Sequence, residues 1–146
     1  MANRSKEEEE LRKLSVEMRY LEQTAETLQQ RMGMINSALT DLTYANMTLE
    51  GMEKESENAE LLVPIGGSAY IKVKLASIDK VIVGMGAGVS VEKTLPDAKA
   101  IVKERLDELE KTMSLAQQQF AQVAQRINVG RNQLQSLLAK VREGKA

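Results

Sequence analysis

Residues 11–49, LRKLSVEMRYLEQTAETLQQRMGMINSALTDLTYANMTL, carry apolar side chains that step by three and four without a slip. The series runs Leu11, Leu14, Met18, Leu21, Ala25, Leu28, Met32, Ile35, Leu39, Leu42 and, after Asn46, Leu49. Spacing that averages 3.5 residues keeps a narrow apolar seam on one side of a helix, and such a seam needs a partner helix along its length. The same stepping returns toward the C-terminus through Val102, Leu106, Leu109, Met113, Ala116, Phe120, Val123, Ile127, Gly130, Leu134, Leu137 and Val141. Because the two series cover nearly equal distances, folding one back on the other buries both seams within one chain. The pattern predicts an intramolecular antiparallel coiled coil.

In an antiparallel pair, a positions face d positions, so the two series test their own register. One register sets Met18 against Gly130, Met32 against Ala116 and Leu28 against Phe120, so that long side chains meet small ones. Sliding by one heptad puts Ala25 opposite Gly130 and leaves a gap, and the first register is the better packed. Gly130 costs about 1 kcal/mol relative to alanine inside a helix and marks a soft point. Asn46, the one polar a position of the first helix, either pins the register or marks the end of the seam.

Helix boundaries follow from capping chemistry. Ser5 can cap the first helix, with Glu7 to Glu10 complementing its positive end, and the helix frays between Glu55 and Ala59. From Ser5 to Ser56 such a helix would be on the order of 75 Å long. Thr94-Leu95-Pro96-Asp97 opens the second helix, since proline suits a first turn, and that helix runs to about Arg142. The expected division is a helix over 1–58, a β module over 59–95 and a second helix over 96–146.

The insert between the helices changes character. Leu61-Leu62-Val63-Pro64-Ile65, a turn at Gly66-Gly67, then Ala69 to Leu75 read as one hairpin. Lys80 to Met85, a turn at Gly86-Ala87-Gly88, then Val89 to Lys93 read as a second. Alternation places Ile71, Val73 and Leu75 on one face and Lys72 and Lys74 on the other, while Val81 and Val83 oppose Lys80 and Ile82. The expectation is a four-stranded sheet with one apolar face and two open edges. With the helices occupied by each other, nothing else in the chain is left to cover that face. Burying each aliphatic side chain is worth roughly 1.5–3 kcal/mol, so about ten wet ones demand neighbours. The residues expected at an oligomer interface are Leu61, Val63, Ile65, Ile71, Val73, Leu75, Val81, Ile82, Val83, Val89 and Val91.

Composition narrows the function. Aromatic residues are 3% of the chain and Trp is absent, which argues against a compact globular core. The formal net charge is −1, with no basic excess to track a phosphate backbone, so nucleic acid is not expected as a partner. Cysteine and histidine are both absent, which removes disulfides, thiolate chemistry and the usual general base and zinc ligand. No run approaches the roughly 20 apolar residues of a membrane span. These features predict a soluble, cytoplasmic, non-enzymatic protein with no cofactor, metal or catalytic residue. Gly84-Met85-Gly86-Ala87-Gly88 imitates a dinucleotide-binding loop, but strand-like Val89-Ser90-Val91 follows it, so no helix dipole faces the glycines. Gly66-Gly67-Ser68 lacks the lysine of a phosphate loop, and the glutamate runs match no cation-binding spacing.

Apolar residues off the seam point elsewhere. Val16, Tyr20, Val129 and Leu138 fall at outer or flanking positions beside Leu11, Leu14, Met18, Leu134, Leu137 and Val141 near the free ends of the helices. Together these ten residues are the candidate contact surface for exposed apolar segments of other proteins, and the eight methionines suit adaptable contacts. Tyr44, Met47 and Ile101 are expected to pack against the base of the sheet.

Helix, two hairpins, helix, with Leu62-Val63-Pro64-Ile65-Gly66-Gly67-Ser68-Ala69-Tyr70 and Val81-Ile82-Val83-Gly84-Met85-Gly86-Ala87-Gly88-Val89-Ser90-Val91-Glu92-Lys93, resembles the alpha class of prefoldin subunits. The resemblance covers the whole chain and is specific in the insert. It implies a mainly α fold with a β insert, in which a long antiparallel coiled coil joins hairpins that assemble into an intersubunit β-barrel. It also implies a hexamer of two alpha and four prefoldin beta subunits. Its activity would be that of an ATP-independent holdase, which catches unfolded client proteins at its coiled-coil tips and passes them to a group II chaperonin. The competing reading is a coiled-coil scaffold or tether that the β insert merely oligomerises.

Overall fold

The computed structural model describes residues 2–145, with side chains described from Ser5 to Gly144. The elements in order are α1 (Ala2–Glu53), β1 (Glu60–Gly66), β2 (Ala69–Lys74), β3 (Lys80–Gly86), β4 (Val89–Thr94) and α2 (Leu95–Lys145). Helix α1 is 52 residues long and α2 is 51. Both are rich in Ala, Leu, Met, Glu and Gln, which lose little freedom in a helix. Hydroxyls that would compete with the helical backbone are satisfied by it instead. Ser15 and Thr24 donate to the carbonyls of Leu11 and Tyr20, and Thr43 and Thr48 to those of Leu39 and Tyr44, at 2.7–2.9 Å.

The chain forms two compact units. One comprises Met1–Asn36 and Lys111–Ala146, the other Ser37–Glu110. In the first, the seam closes as the heptads predict, with Met18, Leu21, Leu28, Ile35, Ala116 and Val141 all buried. Its register is fixed at one point by geometry: Met18 packs over Gly130, with Cγ and Cε each 3.5 Å from where a Cβ would stand and Sδ overlapping it. This is the better-packed of the two registers considered from sequence. Gly130 is therefore a socket for a methionine.

In the second unit the core is Leu49, Val83, Leu95, Ala98 and Val102, flanked by Leu42, Ala45, Met52, Val81, Ile101 and Leu106. Thr94 caps α2 by accepting from the Asp97 amide at 3.3 Å, and the Leu95 amide donates to the Asp79 carbonyl at 2.8 Å. Lys99 reaches across to Glu53 at 2.8 Å. Ile101 packs against this core as expected, whereas Tyr44 and Met47 are exposed at 64% and 59% and do not. Their positions on α1 fall away from the seam, on the side opposite the residues that face α2.

Three expectations need correction. Helix α1 is already formed at Ala2, so Ser5 lies inside it, Glu7 to Glu10 fall past its first turn, and it ends at Glu53, before the stretch from Glu55 to Ala59 where it was expected to fray. The four strands do not form one sheet. Among the described residues, β1 pairs only with β2 and β3 only with β4, both antiparallel. Finally, part of the β insert is covered by its own chain. Val83, expected at an oligomer interface, is 7% exposed in the core with Leu49 and Val102, and Val81 is half-buried beside it. The ends of the two helices retain enough apolar surface beyond the seam to receive one strand.

Candidate functional site

The first hairpin turns at Gly67-Ser68, with φ of 57° and 61°, preceded by an irregularity between Pro64 and Gly66. Positive φ at both central residues gives the turn whose twist matches the flanking strands. Leu61 opposes Val73 and Val63 opposes Ile71 on one face, while Leu62 opposes Lys72 and Pro64 opposes Tyr70 on the other. The ladder is prolonged by the Asn58 amide donating to the Leu75 carbonyl and the Leu75 amide to that of Ala59, both at 2.9 Å. This hairpin is bare. Leu61, Leu62, Val63, Ile65, Tyr70 and Ile71 are all exposed, and Val73 and Leu75 are half-buried.

The second hairpin repeats the device, turning at Ala87-Gly88 with φ of 52° and 76° after an irregularity between Gly84 and Gly86. It presents a different face. Val81 and Val83 point into the core, while Ile82, Met85, Val89 and Val91 are exposed. A contact that sequence gave no sign of holds it in place: the Arg105 guanidinium donates from Nη2 to the Gly84 carbonyl at 2.7 Å. Of the expected interface residues, the structure thus leaves bare Leu61, Val63, Ile65, Ile71, Ile82, Val89 and Val91, and withdraws Val83.

In the helical unit, two open grooves of about 340 and 600 Å³ share Leu14, Glu17 and Gln133. The first runs past Met18, Leu21, Arg126, Val129 and Gly130, the second past Glu10, Lys13, Asn132, Ser136, Leu137 and Lys140. Of the ten residues expected to touch other proteins, Val16, Tyr20, Val129 and Leu138 are exposed and Leu11, Leu14, Leu134 and Leu137 half-buried. Met18 and Val141 are buried in the seam and are not available as they stand. Two exposed apolar residues were missed, Met34 at 75% and Leu115 at 60%; both sit at outer helical positions that sequence reading passed over.

The chemistry available is apolar and polar contact. No described polar or charged side chain is buried, and no group of three His, Cys, Asp or Glu among the described residues could hold a metal ion. No helix among them is long and apolar enough to cross a membrane.

Comparison with known proteins places this arrangement. The family described as Prefoldin subunit matches residues 4–140. The chain is 35% identical over 120 residues to the prefoldin subunit alpha of Methanococcoides burtonii, covering 82% of this chain and 87% of that one. It is 32% identical to that of Methanosarcina barkeri, covering 88% and 93%, and 32% identical to that of Pyrococcus horikoshii, covering 81% and 80%. Among solved structures, the fold is similar to filamentous PFD from Methanocaldococcus jannaschii, with a TM-score of 0.65 at 23% identity over 76% of this chain and 92% of that one. It is also similar to the prefoldin beta subunit from a Thermococcus strain, with a TM-score of 0.59 at 16% identity over 87% and 90%. The chain belongs to the prefoldin family of chaperone subunits and, within it, to the alpha class.

Proposed function

We propose that this protein is the alpha subunit of a cytoplasmic, ATP-independent holdase that binds non-native polypeptides and delivers them to a group II chaperonin. The observation that carries the assembly half of this reading is the bare first hairpin. Six large apolar side chains stand exposed there, between helices whose own seams are already closed. An isolated two-stranded hairpin is marginal in water, and its unpaired edges invite further strands. Residues 59–95 act as an assembly module between helices over 1–58 and 96–146. Their hairpins pair with those of prefoldin beta subunits into β-barrels, in a hexamer of two alpha and four beta chains.

Client binding belongs to the ends of the helical unit, where Val16, Tyr20, Val129 and Leu138 are exposed beside the grooves at Leu14 and Leu137. Each contact is weak, and several helical units acting together supply avidity without nucleotide. The test is to remove residues before Ala25 and after Ile127 and to follow aggregation of a chemically unfolded protein by light scattering. Suppression should be lost while the assembled mass falls only by the residues removed. Full protection by the truncated assembly would refute the reading.

A further inference from the structure

Tyr20 and Met34 lie two heptads apart on α1, and Leu115 and Val129 lie two heptads apart on α2. All four occupy the same outer heptad position, c. With Met18 set against Gly130, antiparallel geometry brings the c positions of both helices to one flank, Tyr20 level with Val129 and Met34 level with Leu115. All four are exposed, at 68%, 75%, 60% and 50% for Tyr20, Met34, Leu115 and Val129. The seam does not need them, so packing within the chain gives no account of them.

The same flank is nearly without charge. Of the c, f and g positions that make up this flank, those from Val16 to Met34 carry only Glu17 and Arg31 as charges, and those from Thr112 to Val129 only Arg126. Between the two apolar pairs stand exposed glutamines, among them Gln118, Gln122 and Gln125. Solvated coiled-coil surfaces ordinarily carry alternating charges, so this composition is not that of an idle face.

We propose that this flank is a second contact surface for non-native polypeptide, seating an extended segment with apolar side chains at both ends. The proposal rests on the holdase reading above and carries client contact from the helix ends along the side of the unit. The two apolar pairs are separated by about 21 Å, the length of about six extended residues. Carboxamides both donate and accept, and so match the unpaired N–H and C=O groups of an unfolded backbone, which a folded helix offers only at its ends. Lack of charge lets the surface accept clients of either sign.

The experiment uses the assembly with beta subunits and compares wild type, M34E/L115E, the neutral M34Q/L115Q, and A121E, which puts the same charge on the opposite side of α2. The ratio of assembly to chemically unfolded client needed to halve its light scattering should rise about fivefold for M34E/L115E, less for M34Q/L115Q, and not at all for A121E. A photo-crosslinking residue at Gln122 should capture client. Unchanged ratios for both double variants, or no adduct at Gln122, in an assembly that still protects clients would overturn the flank proposal alone. A wild-type assembly that protects nothing would overturn the holdase reading and this proposal with it. A fall in assembled mass for M34E/L115E, helicity being retained, would show the flank to be a subunit contact and also overturn it.

Discussion

The thioether of Met18 occupies the space that a side chain at Gly130 would need. This single fit sets the register of the helical unit, since a shift of one heptad would put Ala25 there and leave a hole. Gly130→Ala gains about 1 kcal/mol of helix propensity, against a cost of about 1–3 kcal/mol for overpacking. The single variant should therefore be no more stable than wild type, while G130A/M18A should recover part of the loss. Thermal unfolding of the four proteins in a double-mutant cycle should give a coupling of at least about 1 kcal/mol; additive effects would mean that the two residues do not share that space.

Ala87 holds the left-handed conformation, at φ 52°, in the second hairpin turn. A side chain there costs roughly 1 kcal/mol, which glycine avoids at some expense in unfolded-chain entropy. Ala87→Gly should leave stability unchanged or raise it by up to about 0.5 kcal/mol, whereas Ala87→Val should lower it by more than about 1 kcal/mol. Denaturant titration checks the order.

The bond from Arg105 to the Gly84 carbonyl ties α2 to the second hairpin. Lysine has one compact cationic head instead of a planar fork, so Arg105→Lys should weaken the tie and Arg105→Ala remove it. The expected signature is faster amide exchange in β3 and β4, by about threefold to tenfold for Arg105→Ala, with exchange near Met18 and Gly130 unchanged.

The helices and the seam were legible because a 3.5-residue repeat sustained over many turns has few other meanings. Every seam residue from Leu11 to Leu49 and from Val102 to Val141 is buried or half-buried. The hairpins were legible from Gly66-Gly67 and Gly86-Ala87-Gly88, although the turn proper sits at Gly67-Ser68 in the first. What alternation within a strand does not carry is which other element covers its apolar face. Val83 was therefore assigned to a partner when Leu49, Ala98 and Val102 already enclose it, and four strands were joined that pair only two by two. Arg105 was invisible because its partner is a backbone carbonyl, which leaves no trace in residue identity. Met34 and Leu115 gave no signal in the sequence because a single apolar residue at an outer heptad position is ordinary on a solvated helix.

The cross-strand pair Val63–Ile71 is exposed on both sides in the isolated chain. Val63→Glu with Ile71→Glu should leave the helices intact by circular dichroism, because neither residue touches the seam. The same change should prevent joining to beta subunits, since two carboxylates buried opposite each other are strongly disfavoured.

The most direct test is therefore the mass of the particle formed when this chain is mixed with a prefoldin beta subunit, measured by light scattering after size exclusion. A single species with two copies of this chain and four of beta, absent with the Val63→Glu/Ile71→Glu variant, is the expected result. A chain that stays monomeric beside the beta subunit, with its first hairpin still open to solvent by amide exchange, would contradict it.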